Sequence, residues 1–209
     1  MFVITADQDA SSRTGDKVEQ ILRRMARAIP AQEVVLPFQR TVGDEIQAVF
    51  DSAPVVLASA LELTRAQDWA VGIGIGAADL AEEARSSSGA AFVCARTAVE
   101  RASSKAVTVP LAVVADGVEE GAADEVEALV QLLAAVVRRR SDAGWEVADL
   151  LRDGAGSQRA VAAELGITPQ AVGQRLRVAL WSEEQAVHPL AARLLAGLDR
   201  SADAHGEGR

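Results

Sequence analysis

Short apolar runs and amphipathic stretches alternate along the first part of the chain. Residues 2–6 predict a buried strand, and residues 17–29, which are apolar at every third or fourth position, predict a helix. Residues 33–40 and 45–51 predict two strands, and the tight turn at 41–44 between them is typical of a hairpin. We therefore expect this region to form one strand, one helix and a strand pair.

The same alternation continues to about residue 115. The order β-α-β-β-α-β-α-β is the split pattern of a ferredoxin-like palm domain with one added α-β unit. Pro110 indicates that the last strand lies at an edge of the sheet, because proline cannot donate a ladder hydrogen bond. The further predicted elements are a helix from about 52 to 67, a strand at 69–76, a helix at 89–103 and a strand at 106–115.

Beyond about residue 120 the pattern becomes purely helical. We therefore predict an α+β chain with a ferredoxin-like palm domain over 1–120 and an all-α domain over 121–200. The polar residues 201–209 are expected to form a disordered tail. The predicted helices of the second domain are 123–141, 145–152, 158–165, 169–180 and 183–199.

Residues 158–177, QRAVAAELGITPQAVGQRLR, carry the most specific pattern in the chain. Two short helices joined by a tight turn need a small residue where they touch, which is Ala162. They also need a residue that tolerates left-handed dihedrals, which is Gly166. Thr168 is suited to cap the second helix, with Pro169 at its first position. These features are typical of a DNA-binding helix-turn-helix, whose second helix enters the major groove.

The side chains that this motif would turn towards DNA are mostly polar or basic, and none is acidic. Glutamine suits the edge of adenine, and arginine suits guanine or a phosphate. The alternative is a helical hairpin that contacts protein or binds nothing. The candidate DNA-binding residues are Gln158, Arg159, Thr168, Gln170, Ala171, Gln174, Arg175 and Arg177.

Composition restricts the function classes further. The chain has 209 residues, 49% of them hydrophobic, which is enough for a packed core, and its single cysteine excludes an internal disulfide and a Cys-rich zinc site. It contains no apolar run that could span a bilayer and no secretory signal, so we expect a cytoplasmic protein without a membrane partner. The net charge of −9 disfavours broad nucleic-acid binding, but basic residues outnumber acidic ones over 138–177.

Two carboxylates occupy informative positions. Asp7 ends the first predicted strand and Asp44 lies in the predicted hairpin, two places that a palm fold brings together. Carboxylates on neighbouring strands can hold a divalent cation such as Mg²⁺ and, through it, a triphosphate. Alternatively, Asp7 caps a turn and Asp44 only forms one. The glycines at 72–76 indicate a close backbone approach, which would let a base or ribose come near.

The sequence around Asp44, RTVGDEIQAVF, resembles the metal-binding hairpin of class III nucleotidyl cyclases and of GGDEF domains. The resemblance implies a nucleotidyl-cyclase-like palm domain. It also makes Arg40, just before the hairpin, and Arg96, where the cyclases carry a phosphate-contacting arginine, candidate ligand-binding residues. The cyclases have an asparagine four residues before that arginine, where this chain has Phe92, and this departure argues against catalysis.

The closer resemblance is to the bacterial SatD family, which combines a cyclase-like domain with a C-terminal helix-turn-helix. The first strand departs from the family pattern, because Ala6 stands where the family has glycine. The resemblance covers most of residues 1–180 and implies a DNA-binding protein without a settled biochemical activity. The matching motifs lie at 7–13, 41–47, 72–76 and 89–96.

We therefore predict a transcriptional regulator that binds double-stranded DNA and is not an enzyme. Its cyclase-like domain would serve as a dimer platform or as a nucleotide or small-ligand sensor. Because one helix-turn-helix contacts one half-site, we expect a homodimer, with apolar faces to spare on the helices at 123–141 and 183–199. Two alternatives stay open: a metal-dependent, cyclase-like nucleotide-processing enzyme with an accessory DNA-binding domain, and a helical protein-interaction module.

Overall fold

A mixed five-stranded sheet forms the centre of the molecule. The computed structural model describes residues 1–8, 15–104 and 106–206, with the backbone alone for 203–206. The strands lie in the order β2-β3-β1-β4-β5, and every neighbouring pair is antiparallel except β4 and β5, which are parallel. The strands are β1 (Phe2–Gln8), β2 (Leu36–Arg40), β3 (Glu45–Phe50), β4 (Trp69–Ile75) and β5 (Leu111–Ala115).

In the residues that the structure describes, three α-helices lie between the strands and five follow the last strand. The order of strands and helices predicted for the first 115 residues is the order observed. The chain is therefore α+β, with a helical region after the sheet. The helices are α1 (Val18–Ala28), α2 (Ala53–Arg65), α3 (Ala90–Ala102), α4 (Ala122–Arg139), α5 (Asp142–Arg152), α6 (Gln158–Leu165), α7 (Pro169–Val178) and α8 (Trp181–Gly206).

The largest apolar core lies between one face of the sheet and the helices α1, α2, α4 and α8. Alternate side chains of β1, those of Phe2, Ile4 and Ala6, are buried in it, and α8 contributes Leu195 and Leu198. Burying a leucine side chain stabilises a fold by about 1.5–3 kcal/mol. The apolar face of α8, predicted to be free for a dimer, is thus used in part inside one chain, while Leu190 and Leu194 remain 38% exposed.

Helix α3 packs against the opposite face of the sheet, directly over β4. A Cβ atom added to Gly72 would lie 2.3 Å from the amide nitrogen of Val99, and one added to Gly74 would lie 2.2 Å from the carbonyl oxygen of Ala91. These two glycines therefore let the helix backbone contact the strand. The close approach predicted for this run is made by α3, and no space remains there for a base or ribose.

Side chains of α4 protect the free edge of β5. The carboxylate of Glu127 accepts a hydrogen bond of 2.7 Å from the amide of Val113, and the side-chain amide of Gln131 donates one of 2.8 Å to the carbonyl of Leu111. Pro110 precedes this strand, which lies at the edge of the sheet as predicted. Satisfying the outer backbone groups in this way prevents another strand from pairing with the edge.

Helices α5, α6 and α7 enclose a second, smaller apolar core. Trp145 of α5 packs against the larger core, and charged side chains of the sheet region surround it. The guanidinium of Arg65 lies 3.7 Å from the centre of the indole ring, and that of Arg140 lies 4.3 Å from it. The buried side chains of the smaller core are Val147, Val161, Ala162, Val172 and Leu176.

Several predicted boundaries differ from those observed. The strand predicted at 33–40 begins at Leu36, because Ala31–Glu33 form a 3-10 turn after Pro30. The strand predicted at 106–115 begins only at Leu111, where pairing with β4 starts. The tail predicted to be disordered from residue 201 continues α8 to Gly206, and Ala202 in it is buried; residues 207–209 lie outside the described residues.

Among the helices within the described ranges, none combines the length and the apolar character that crossing a membrane requires.

Candidate functional sites

The side chains of Asp7 and Asp44 come together where β1 ends beside the β2–β3 hairpin. Asp7 pairs with Glu45 across the β1–β3 ladder, and its carboxyl is hydrogen bonded to that of Asp44. Burial raises the pKa of Asp7 to about 6, and the charge of Asp44, the hydrogen bond to it and the charge of Glu45 add to the effect. Two negative charges this close repel each other, which favours the protonated form of Asp7.

Glu45 is a third carboxylate at this place that sequence reasoning missed. Its buried side chain accepts a hydrogen bond from the hydroxyl of Thr41 and forms an ion pair of 2.6 Å with Arg96 of α3. The signal was available in principle, because residues paired directly across a ladder share one face of the sheet. Arg96 thus reaches the predicted place, where Glu45 already engages it.

Arg40 also lies at the hairpin and also has a carboxylate partner. It forms a bidentate ion pair with Asp16, at 2.6 and 2.8 Å, and donates a hydrogen bond of 3.1 Å to the carbonyl of Gly43. The hydrogen bonds from Arg40 and from the amide of Val18 lower the pKa of Asp16. A phosphate approaching the hairpin would have to compete with Asp16 for Arg40 and with Glu45 for Arg96.

The donor set at the hairpin fits a hard cation only in part. Asp7 and Asp44 offer carboxylate oxygens, which Mg²⁺ prefers, and a cation would relieve the repulsion between them. Glu45 is engaged by Arg96, so it could act as a third ligand only by giving up this ion pair. Within the described ranges, no group of three or more acidic, histidine or cysteine side chains is spaced to hold a metal ion.

Phe92 has an apolar role in this structure. It packs against a small cluster on the α3 side of the sheet that includes Val3, Val49, Ala84 and Ala91. This side chain therefore covers the sheet. It brings no hydrogen-bonding group to the carboxylates.

Asp7 borders a pocket of about 430 Å³ between the start of β4 and the end of α3. Its polar lining combines three hydroxyl groups with the side chains of Asp7, Gln8, Gln67 and Arg138. This volume lies within the range of small-molecule sites. Among the residues that line it are Gln67, Trp69, Ala70, Ser103, Ser104, Thr108 and Arg138.

Helices α6 and α7 are joined by a turn of three residues. Gly166 ends α6 in the left-handed region, with φ of 65°, and the hydroxyl of Thr168 caps α7 by accepting a hydrogen bond of 3.2 Å from the amide of Ala171. Val172 and Leu176 face the small core, so the opposite side of α7 is exposed. The local geometry is the one that the sequence predicts at each of these positions.

The predicted DNA-contacting residues differ in how accessible they are. Thr168, Gln170, Gln174 and Arg177 are exposed on α7, and Ala171 is half-buried. Gln158 and Arg159 are exposed at the start of α6.

Arg175 is half-buried and forms an ion pair of 2.8 Å with Glu146 of α5. Sequence reasoning missed Glu146. It also missed Val178, which is 75% exposed beside Gln174 and Arg175 in a shallow groove of about 330 Å³.

Arg140 fixes the position of α7 relative to the sheet region. Its buried guanidinium donates a hydrogen bond of 3.0 Å to the carbonyl of Ala179, at the end of α7, and forms an ion pair with Glu184 of α8. Burial alone would raise the pKa of Glu184, but hydrogen bonds from His188 and Arg140 hold it below its usual value. A charged residue at the end of α4 thus connects three helices.

No protein-family model matches this chain, and comparison with curated proteins and with solved structures finds no match either.

Proposed function

We propose that the chain is a DNA-binding transcriptional regulator in which α6 and α7 form a helix-turn-helix and α7 is the recognition helix. The observation that carries this proposal is the exposed side of α7. It presents Thr168, Gln170, Gln174 and Arg177 together, without a carboxylate among them. Glutamine and arginine are the side chains that read adenine and guanine edges, and a ten-residue helix is long enough to lie in a major groove.

In this proposal the sheet region is a cyclase-like palm domain that acts as a sensor or dimer platform. Asp7 and Asp44 would hold Mg²⁺, and Arg40 and Arg96 would exchange their carboxylate partners for phosphate oxygens. When bound, the cation would supply charge neutralisation for the phosphates. The apolar packing of Phe92 supports binding without turnover, because a transition state would lack a preorganised polar partner there.

The test is a gel-shift titration with DNA from upstream of the protein's own coding region. Gln174→Ala and Arg177→Ala should each weaken binding to this DNA by about 1–3 kcal/mol, that is roughly 5- to 150-fold, while leaving the fold intact. Arg193→Ala, which removes an exposed arginine from α8, is the matched control and should bind like the parent. Equal affinity of all four proteins for specific DNA would contradict the proposal.

A second candidate function, a metal-dependent enzyme acting on nucleotides, is favoured by one observation. Asp7, with a pKa of about 6 and hydrogen bonded to Asp44, resembles the coupled carboxyls found at many catalytic sites. Incubation with nucleoside triphosphates and Mg²⁺ or Mn²⁺, followed by chromatography, distinguishes the two. A cyclic or linear nucleotide product that forms with the parent and not with Asp44→Ala would favour the enzyme.

A further inference from the structure

A wide groove of about 940 Å³ separates α1 and α2 from α5, where the helical region meets the sheet region. It shares only Asp16 with the ion pairs at the hairpin and none of the residues of the exposed side of α7. Its most common lining residue is arginine, contributed by three different helices. The five arginines are Arg23, Arg24, Arg27, Arg65 and Arg152.

Two carboxylates hold three of these arginines in fixed positions. Glu62, which is 8% exposed, lies 2.7 Å from Nε of Arg24 and 3.3 Å from Nη1 of Arg152. Asp149 forms a bidentate pair with Arg65, with both distances 2.7 Å. Within the described part of the chain Arg24 is engaged through Nε alone, so its two terminal nitrogens remain as donors that an additional anion can use.

Arg23 and Arg27 lie one turn apart on the exposed side of α1. Neither forms an ion pair with another residue of the described ranges, and like charges at this spacing destabilise a helix. The groove also contains Glu19, Asp153 and Asp16, the last of which is engaged by Arg40. Setting Asp16 aside, five guanidinium groups face four carboxylates in a chain whose net charge is −9.

We propose that this groove is a binding site for a polyanion with a chain of phosphate groups. Phosphate oxygens would pair with the free donors of Arg24 and with Arg23 and Arg27, which relieves the repulsion along α1. The same ligand would compete with Asp149 and Glu62 for Arg152. Because Arg152 belongs to α5, binding here would change how α5–α7 are attached to the sheet region.

The test is calorimetric titration of the full chain with inorganic tripolyphosphate in EDTA, so that no divalent cation takes part. We expect binding by the parent that weakens with added salt, and a loss of at least about tenfold in the double variant Arg23→Gln/Arg27→Gln. Glutamine preserves helix propensity, and circular dichroism verifies that the variant is folded. Arg193→Ala, an exposed arginine on α8, is the control and should bind like the parent.

Further arms of the experiment identify the source of the phosphates and separate this site from the hairpin. Binding of ATP that exceeds tripolyphosphate binding tenfold would assign the ligand as a nucleotide, and equal binding would assign the phosphate chain alone. Asp44→Ala should have no effect, since the site is independent of metal. No heat from the parent, or an equal loss in Arg193→Ala, would overturn the proposal.

The experiment must also distinguish a small polyanion in the groove from DNA, the other anionic partner of this chain in the proposed function. If Arg23→Gln/Arg27→Gln weakens DNA binding and the parent binds no tripolyphosphate, the groove contacts the DNA backbone and the small-ligand site is wrong. The calorimetric titration with tripolyphosphate contains no DNA, so its result does not depend on the proposed function. If the α7 variants leave DNA binding unchanged, the proposed function is overturned and this inference is unaffected.

Discussion

The sheet region and the α5–α7 region are held together by different forces. In the sheet region, apolar side chains such as Phe2 and Ile4 are fully buried and backbone lies directly on backbone where α3 crosses Gly74. The α5–α7 region has a small core of its own. Its attachment to the rest combines the packing of Trp145 on the larger core with the guanidinium groups of Arg65 and Arg140 around that ring. Close-packed apolar contacts respond weakly to ionic conditions, whereas ionic contacts respond to salt, pH and charged ligands.

The largest effect should come from the buried charge that joins the two regions. Arg140→Ala leaves the carboxylate of Glu184 buried without its guanidinium and removes a ring contact with Trp145, so we expect a loss of about 3–5 kcal/mol in the free energy of unfolding. Urea denaturation at neutral pH measures it. Arg139→Ala, an exposed neighbour, should change stability by less than about 0.5 kcal/mol. Similar stabilities for both variants would mean that the buried pair does not hold the regions together.

The next effect tests close packing inside the sheet region. Gly74→Ala places a methyl group 2.2 Å from the backbone of α3, which has to move, and we expect a loss of about 3 kcal/mol in stability. Gly197→Ala is the matched control, because a Cβ atom at that position of α8 meets nothing within 4 Å. This control should raise stability by up to about 1 kcal/mol through helix propensity. Thermal melts of both variants give the comparison, and a destabilised control would refute the packing argument.

A smaller, pH-dependent effect should come from the carboxyl pair at the hairpin. The pKa of Asp7 is raised to about 6 in the folded protein from 3.8, chiefly by burial, so between these values the folded state binds a proton that the unfolded chain has released. The stabilisation is therefore complete below about pH 4 and is lost as the pH rises through about 6. Allowing for solvent screening of a partly exposed group, we expect this loss to be about 1–2 kcal/mol.

Urea titrations from pH 4 to 7 measure this dependence. Asp44→Asn removes the neighbouring charge and should make the free energy of unfolding depend less on pH. Towards neutral pH the variant should therefore become more stable relative to the parent. Asp51→Asn makes the same change of charge at the opposite end of β3 and should leave the profile unchanged. A free energy of unfolding that rises between pH 4 and 6 in the parent would contradict the predicted sign.

The smallest effect concerns the exposed ion pair that engages Arg175. Glu146→Gln releases this arginine from its partner on α5, and exposed pairs contribute about 0.2–1 kcal/mol, so DNA binding should tighten by no more than about fivefold. Glu164→Gln removes one exposed negative charge from α6 and serves as the control in the same gel-shift assay. If both variants tighten DNA binding equally, the affinity depends only on the overall charge, and the release of Arg175 makes no separate contribution.

Predictions that depend on neighbours along the chain agree with the structure. The order of strands and helices, the left-handed Gly166 and the cap at Thr168 follow from apolar spacing and backbone preferences that only a few adjacent residues determine. The predictions of the hairpin turn and of the edge position of β5 also agree with the structure. The prediction that α8 ends before residue 201 was wrong. The burial of Ala202 depends on packing against the rest of the fold, which the polar composition of residues 201–209 does not indicate.

The partner of each charged side chain was decided by the tertiary structure. The sequence by itself indicated a palm-like order of elements, a pair of aspartates and an arginine-bearing helix, but the pairs Arg96–Glu45, Arg40–Asp16 and Arg175–Glu146 join residues that are far apart in the chain. The same holds for the glycines of β4, whose close neighbour is a helix, and for Leu195 and Leu198 of α8, which complete a core. Local signals reflect backbone conformation, whereas these contacts depend on which surfaces the folded chain brings within a few ångströms, and no spacing along the sequence encodes that directly.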